Sequence, residues 1–213
     1  MKIKGQKGSI LISAGSLLIA AALCLGGYNL WDGMRADRSV SAVTQQLTAK
    51  QIVKQTVKQA ETPAAVAQPL IHELNPQMEM PVETVEEWDY IGTVAFPQRG
   101  IELAVISEWS YPALKAAPCR YSGSAYTDDL ILSAHNYAAH FGCLKNLFAG
   151  EWITFTDMEG NVFTYEVVET EILAPTDVDR MGEGEWDLTL FTCTVGGQSR
   201  VTVRCERVDG IYT

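Results

Sequence analysis

The sequence predicts an all-β domain, either a sandwich or a closed barrel, carried behind an N-terminal membrane helix and a stalk. Two observations predict this. From Trp88 onward, short apolar or alternating runs rich in Val, Ile, Thr, Tyr, Phe and Trp are separated by turn residues, with only short helical pieces between them. Before that point, an uncharged stretch from Gly8 to Trp31 follows Lys2, Lys4 and Lys7. Of the 213 residues, 47% are hydrophobic and 20% charged, which excludes a wholly disordered chain. The net charge of −10 excludes a nucleic-acid binder of the basic kind. That charge is divided unevenly: residues 1–60 carry +6 and residues 61–213 carry −16, so the two parts face different surroundings.

Taken in order, residues 1–7 form a basic N-terminus and residues 8–31 an apolar span. At about 1.5 Å per helical residue the span reaches across a bilayer core of about 30 Å. The lysines before it, against Arg35 and Arg38 offset by Asp32 and Asp37 after it, favour a cytoplasmic N-terminus with the remainder outside the cell. A cleaved signal peptide fits the same pattern, with Ala20 to Ala22 as a cleavage region; the length of the span favours an uncleaved anchor. Cys24 follows Leu23, a poor lipoprotein context. Residues 32–87 read as a stalk helix and linker. Lys50, Lys54 and Lys58 recur at i, i+4 on one helical face, and the apolar residues around them are too few for a core, so this helix is expected to be solvated. Pro63, Pro69, Pro76 and Pro81 then break any helix. The folded domain is expected over residues 88–213.

Within that domain the runs Tyr90 to Phe96, Ile101 to Ile106, Leu130 to Ser133, Trp152 to Thr156, Val162 to Val168, Leu188 to Cys193 and Val201 to Val208 read as strands. The residues from Asp157 to Asn161 read as a hairpin turn, with Gly160 or Asn161 at positive φ. Short helical pieces are expected near Pro112 to Ala116 and Ala139 to Phe148.

The candidate chemistry lies in cysteine and histidine. No CxxC pair marks a zinc or redox site, and a metal site built from His135, His140 and Cys143 lacks a recognised ligand spacing. Cys119 and Cys143 can be read as a disulfide or as two buried thiols, and Cys205 as a core thiol on a strand face shared with Val201 and Val203. Cys193 differs because it ends an apolar strand and opens into Thr194, Val195, Gly196 and Gly197, a loop with little steric cover. A nucleophilic thiol needs a base or cation nearby. His135 directly follows the strand ending in Ser133 and Ala134, so it too sits where a strand opens into a loop; His72 lies in the linker.

The run Thr189-Leu190-Phe191-Thr192-Cys193, followed by Arg200, resembles the TLxTC…R signature of the sortases. Upstream, Ser133-Ala134-His135-Asn136 is similar to the segment that bears the family's catalytic histidine, and Tyr90 to Val94 to its opening strand, in the family's order. The resemblance spans about residues 88–208. It implies a closed eight-stranded β-barrel and cysteine transpeptidation at the surface of a Gram-positive cell. It further implies Cys193 as nucleophile, His135 as general acid and base, and Arg200 as partner of the substrate oxyanion, with Thr192 and Asn136 as substrate-binding neighbours. The implied substrate is an LPXTG-like sorting signal, and the implied acceptor an amine of a cell-wall precursor or a pilin. No cofactor is implied.

The chain departs from the pattern at Ala134, where glycine is frequent, and in the short Cys193–Arg200 loop; Arg204, on the same strand face as Arg200, is the alternative arginine. With no apolar span after the domain, the usual pilin-polymerising arrangement is disfavoured. An L,D-transpeptidase is the weaker enzyme reading because Leu190, Phe191 and Thr192, not a histidine motif, precede Cys193. A papain-like protease would place its nucleophile before its histidine. A non-catalytic module of the same fold would not require all three side chains. Calcium could bind among Asp128, Asp129, Glu166, Glu169, Glu171, Asp177 and Asp179, but a solvated acidic surface is the expected reading.

Overall fold

The apolar stretch lies in one long helix, α1 (Lys4–Glu61), which contributes to two compact units, Met1–Arg35 and Ala36–Thr213. The computed structural model describes residues 4–61, 71–182 and 185–208; the first residues of the basic N-terminus, the linker prolines Pro63 and Pro69, and the C-terminal residues 209–213 lie outside them. In the first unit, the segment Leu11–Tyr28 is long and apolar enough to cross a membrane, and its leucines and isoleucines are all exposed.

The second unit is built on nine strands: β1 (Glu83–Val85), β2 (Trp88–Phe96), β3 (Ile101–Ile106), β4 (Cys119–Ser122), β5 (Leu130–Ala134), β6 (Trp152–Asp157), β7 (Val162–Leu173), β8 (Leu188–Cys193) and β9 (Arg200–Arg207). Their order is β1-β2-β3-β4-β5-β8-β9-β7-β6, and β6 returns to pair with β2. The result is a closed eight-stranded barrel with β1 added on β2, and closure removes the open edges of the sheet. A short helix α2 (Ile71–Leu74) precedes them, and between them lie α3 (Tyr111–Ala116), α4 (Val178–Met181) and 3₁₀ helices at Pro97–Arg99 and Phe141–Asn146. The strands β1 and β4 escape sequence reading because Glu83–Val85 and Cys119–Ser122 are too short and too polar to show a period.

Alternation sets the core. Leu130, Leu132 and Ala134 of β5, Leu188, Leu190 and Thr192 of β8, and Val201, Val203 and Cys205 of β9 all face inward and are buried. Closure depends on Gly92, at an irregularity in the β2–β3 register: a Cβ there would stand 2.1 Å from the Thr156 carbonyl oxygen across the β2–β6 seam. The Asp157–Asn161 turn forms as expected, with Gly160 at φ +79°. The buried Asp157 carboxylate organises that turn, accepting from the backbone N–H of Glu159 (2.8 Å) and Asn161 (2.9 Å), the Asn161 amide (2.7 Å) and the Tyr126 hydroxyl (2.6 Å).

The expected solvated stalk is corrected here. The helix is present, but Val40, Thr44, Leu47 and Gln51, at i, i+4, i+7 and i+11, are buried. The Gln51 amide donates to the carbonyls of Thr156 (2.8 Å) and Asp157 (3.1 Å), Lys54 to Met158 O and Glu159 (2.8 Å each), Gln55 to Gly160 O (2.9 Å) and Lys58 to Asn161 (3.0 Å). Thr44 accepts from the Ala104 N–H at 2.9 Å, and Lys50 pairs with Glu83. This face docks chiefly through amides and ammonium groups on backbone carbonyls, contacts that a count of apolar residues does not register. The folded unit therefore includes residues well before Trp88: Met80 and Val85 also join the core.

Candidate active site

The site is assembled by strand register. β5 and β8 run parallel with Ala134 beside Thr192, so the next residues, His135 and Cys193, stand at the same end of the two strands. β8 and β9 are antiparallel and pair Cys193 directly with Arg200. His135, distant in sequence from Cys193 and Arg200, thus meets them at the ends of three neighbouring strands, and the outward alternation of Thr189, Phe191 and Cys193 places the thiol on the outer face of the barrel. Cys193, His135, Asn136 and Arg200 are each partly exposed, so a substrate can reach them.

Thr192 differs. It is 3% exposed, and its hydroxyl donates to the Ala134 carbonyl at 2.8 Å. Its side chain points inward and ties the end of β8 to the end of β5 immediately below Cys193 and His135. The side chain that was expected to meet substrate faces the core, because alternation turns position 192 inward when 193 faces out.

The turn from Cys193 to Arg200 is closed by the Thr194 N–H donating to Ser199 O (2.9 Å) and the Gly197 N–H donating to Thr194 O (2.8 Å). Gly196 (φ +85°) and Gly197 (φ +72°) take the left-handed conformations this tight turn requires. Among the described residues Arg200 makes only long contacts, to the carbonyls of Gly197 and Ser199 at 3.3 Å each, which leaves its planar fork able to turn to a ligand. Arg204 is 2% exposed and its guanidinium is fully committed. It donates from Nε (3.1 Å) and Nη2 (2.9 Å) to Glu171, from Nη1 to Met181 O (2.6 Å) and Thr189 (3.1 Å), and from Nη2 to Arg180 O. Sequence alternation puts both arginines on one face; their hydrogen bonds separate the available one from the structural one.

Below the site on the same face lies a cavity of about 230 Å³, lined in part by Ile131, Met181, Trp186, Thr189 and Arg204. The Tyr121 ring meets Phe191 edge to face at 5.3 Å. Tyr121, Met181 and Trp186 carry no motif, and only the strand order brings them to this face.

The remaining cysteines lie apart from the chemistry. Cys119, Cys143 and Cys205 are buried free thiols, so the disulfide reading of Cys119 and Cys143 gives way to the thiol reading. Burial pushes Cys119 up to about 12, Cys143 up to about 11, and Cys205 upward. Such thiols are inert. Among the candidate calcium residues, Glu171 is held by Arg180 and Arg204, and Asp128 by Arg207. Among the described residues no three His, Cys, Asp or Glu side chains converge as ligands would.

The comparisons agree with this fold. The family model described as "Sortase domain" matches residues 94–208. Similar solved structures include sortase C1 from Streptococcus agalactiae, at 19% identity and TM-score 0.55, covering 81% of this chain and 99% of that one. Streptococcus pneumoniae sortase C is similar at 19% identity and TM-score 0.54, covering 78% and 96%. Clostridium perfringens sortase C, solved with the C-terminal cell wall sorting motif, is similar at 20% identity and TM-score 0.53, covering 81% and 98%. No curated protein matches the chain. At these identities the solved structures establish the fold, and with the family model covering more than half of the sequence, this chain belongs to the sortases.

Proposed function

We propose that this protein is a membrane-anchored cysteine transpeptidase that cleaves an LPXTG-like sorting signal and transfers the upstream part to an amine. The observation that carries the reading is the convergence of His135, Cys193 and Arg200 at the ends of β5, β8 and β9. Cys193 Sγ attacks the carbonyl of the fourth residue of the signal. The Arg200 fork donates hydrogen bonds to the oxyanion that develops, and His135 gives a proton to the departing amine. The C–N bond breaks, the C-terminal fragment leaves, and a thioester remains on Cys193. An incoming amine, of a cell-wall precursor or a pilin, then loses its proton to His135 and displaces the thiolate. One imidazole serves both halves because the proton it takes from the incoming amine replaces the one it gave to the departing amine.

The outer face supports a peptide of this length. Thr189 lies four residues before Cys193, about 13 Å at about 3.3 Å per strand residue, which is the span of four extended substrate residues. The cavity beside Thr189, with Ile131 and Met181 in its wall, suits the apolar start of such a signal. The Leu11–Tyr28 segment is read as the anchor, with the N-terminus in the cytoplasm and the barrel outside. The reaction uses thiol, imidazole and guanidinium without a cofactor, and a calcium requirement for turnover would overturn that part.

The test is product analysis with the full chain in detergent, a set of LPXTG-like peptides and an added amine such as triglycine. The reading expects one motif to yield the released C-terminal fragment and the new amide in equal amounts, with neither formed by Cys193→Ala. Equal rates from that variant would defeat it.

A further inference from the structure

Residues 174–182 run from the end of β7 through α4 and carry Met181 to the outer face of the barrel. Met181 is buried there with Leu173 and Phe191, and Ile131 packs against them, an apolar cluster separate from the main core. A helix of four residues has no stability of its own, so the place of this segment is decided by what it is tied to. The tie is one side chain. The buried Arg204 guanidinium donates to the carbonyls of Arg180 and Met181 at the end of α4, to the Thr189 hydroxyl of β8 and to the Glu171 carboxylate of β7.

Arg180 completes the connection. Its Nη2 donates at 2.9 Å to the second oxygen of Glu171, whose first oxygen takes the Arg204 fork, so the bonds close a ring through β9, β7 and α4. The remaining bonds of the segment are internal: the Asp177 N–H donates to Ala174 O, the Ala174 N–H to the Asp177 carboxylate and the Gly182 N–H to Asp179 O. Among the described residues, every hydrogen bond from residues 174–182 to the strands therefore passes through Arg204 or Glu171. A planar fork of N–H groups reaches two carbonyls, a hydroxyl and a carboxylate together, which an ammonium group on a single stem does not.

The same segment bounds the cavity of about 230 Å³ beside Thr189. Met181 and Gly182 line it together with Ile131 of β5 and Thr189 of β8, and Arg204 itself is part of its lining. The width of the cavity thus follows from where Arg204 holds the end of α4. We propose that Arg204 is a positioning residue for donor selection: by fixing α4 beside Thr189 it shapes the cavity to grip the first, apolar side chain of the sorting signal, and it takes no part in the chemistry at Cys193. Selection of this kind acts on binding of the preferred donor. A donor that lacks the side chain has nothing in the cavity to lose.

This inference rests on the transpeptidase reading, and the experiment separates the two. The full chain in detergent receives triglycine and two LPXTG-like peptides in one tube, identical except for Leu or Ala at the first position. The ratio of the two products is the ratio of their kcat/KM values and does not depend on how much of the enzyme is folded, so a merely structural loss leaves it unmoved. The wild type should favour Leu by at least about tenfold, the usual penalty for a shortened side chain in an apolar pocket. Arg204→Lys, assayed below its melting temperature, should bring the ratio to within about threefold through a loss on the Leu peptide, with the Ala peptide within about twofold of its wild-type kcat/KM per folded enzyme. Glu171→Gln, which keeps the shape and gives up the charge that orients the fork, should fall between the two. A wild type without preference would overturn the proposal, as would an Arg204→Lys ratio equal to that of the wild type. If Arg204→Lys fails to fold, Glu171→Gln decides by the same criterion. Turnover that survives Cys193→Ala removes the transpeptidase reading itself, whereas Cys193-dependent turnover with an unaltered ratio in the variants removes only this inference.

Discussion

Thr192→Val removes one hydroxyl from a buried site and leaves the shape of the side chain intact. The bond lost is the 2.8 Å contact to the Ala134 carbonyl, between residues that directly precede Cys193 and His135. A buried hydrogen bond deleted from one side costs about 1–2 kcal/mol, and for a unit of this size each kcal/mol lowers the melting temperature by about 2–4 °C. A fall of roughly 2–8 °C follows. The effect on rate has a different origin. With the tie gone, the ends of β5 and β8 can separate by a fraction of an ångström, and a 1 Å misplacement of reacting groups costs about a hundredfold. About a tenfold loss of kcat with KM unchanged is expected. Steady-state kinetics on a peptide donor, with Thr192→Ser as the variant that keeps the hydroxyl, measures it. Unchanged kcat would show that the bond does not set the spacing. Raised KM at constant kcat would return Thr192 to the substrate-binding role that its place in the motif suggests.

The other perturbations separate fold from chemistry. Arg200→Lys should lower kcat by about 10²–10³ without changing the melting temperature, because a point charge does not replace a planar fork at the oxyanion; Arg204→Lys should instead destabilise the fold by about 3–5 kcal/mol, which thermal unfolding reads directly. Leu47→Ala should cost about 2–5 kcal/mol because Leu47 is fully buried, whereas Ile52→Ala, at a residue 55% exposed, should stay within about 0.5 kcal/mol; equal melting temperatures for the two variants would restore the solvated stalk. Stability should depend on pH through His140. Burial brings its folded pKa down to about 4, below the unfolded 6.5, so the unfolded chain takes up a proton first and stability falls as pH drops from about 6.5 to about 4, by up to about 3 kcal/mol. Denaturant titrations across that range should show this slope in the wild type and lose it in His140→Phe.

How much could be read in advance follows from the range over which each signal acts. Cys193 and His135 were legible because each closes an apolar strand, and the residues around Cys193 form a local motif. Arg200 was preferred from the motif with Arg204 as the alternative on the same face; the bonds of Arg204 to Glu171, Thr189 and Met181 O, which show it committed to the fold, were not legible. Seven of the strands announced themselves by composition, while β1 and β4 are defined by their neighbours. The docked face of α1 was hidden for a related reason. Gln51, Lys54 and Gln55 look like solvated residues until the carbonyls of the β6–β7 turn are placed beside them. His140 was visible as a residue and not as a neighbour, because its stack with Tyr137 and His135 depends on the loop closing over Gly142.

The central claim is that acyl transfer passes through Cys193. Its most direct test is the intact mass of the full chain, quenched in acid during turnover of an LPXTG-like peptide without added amine. The account predicts a mass gain equal to the peptide up to its fourth residue, located on Cys193 by fragmentation, absent from Cys193→Ala, and discharged when an amine is added. An adduct on another residue, or turnover that persists in Cys193→Ala, would contradict it.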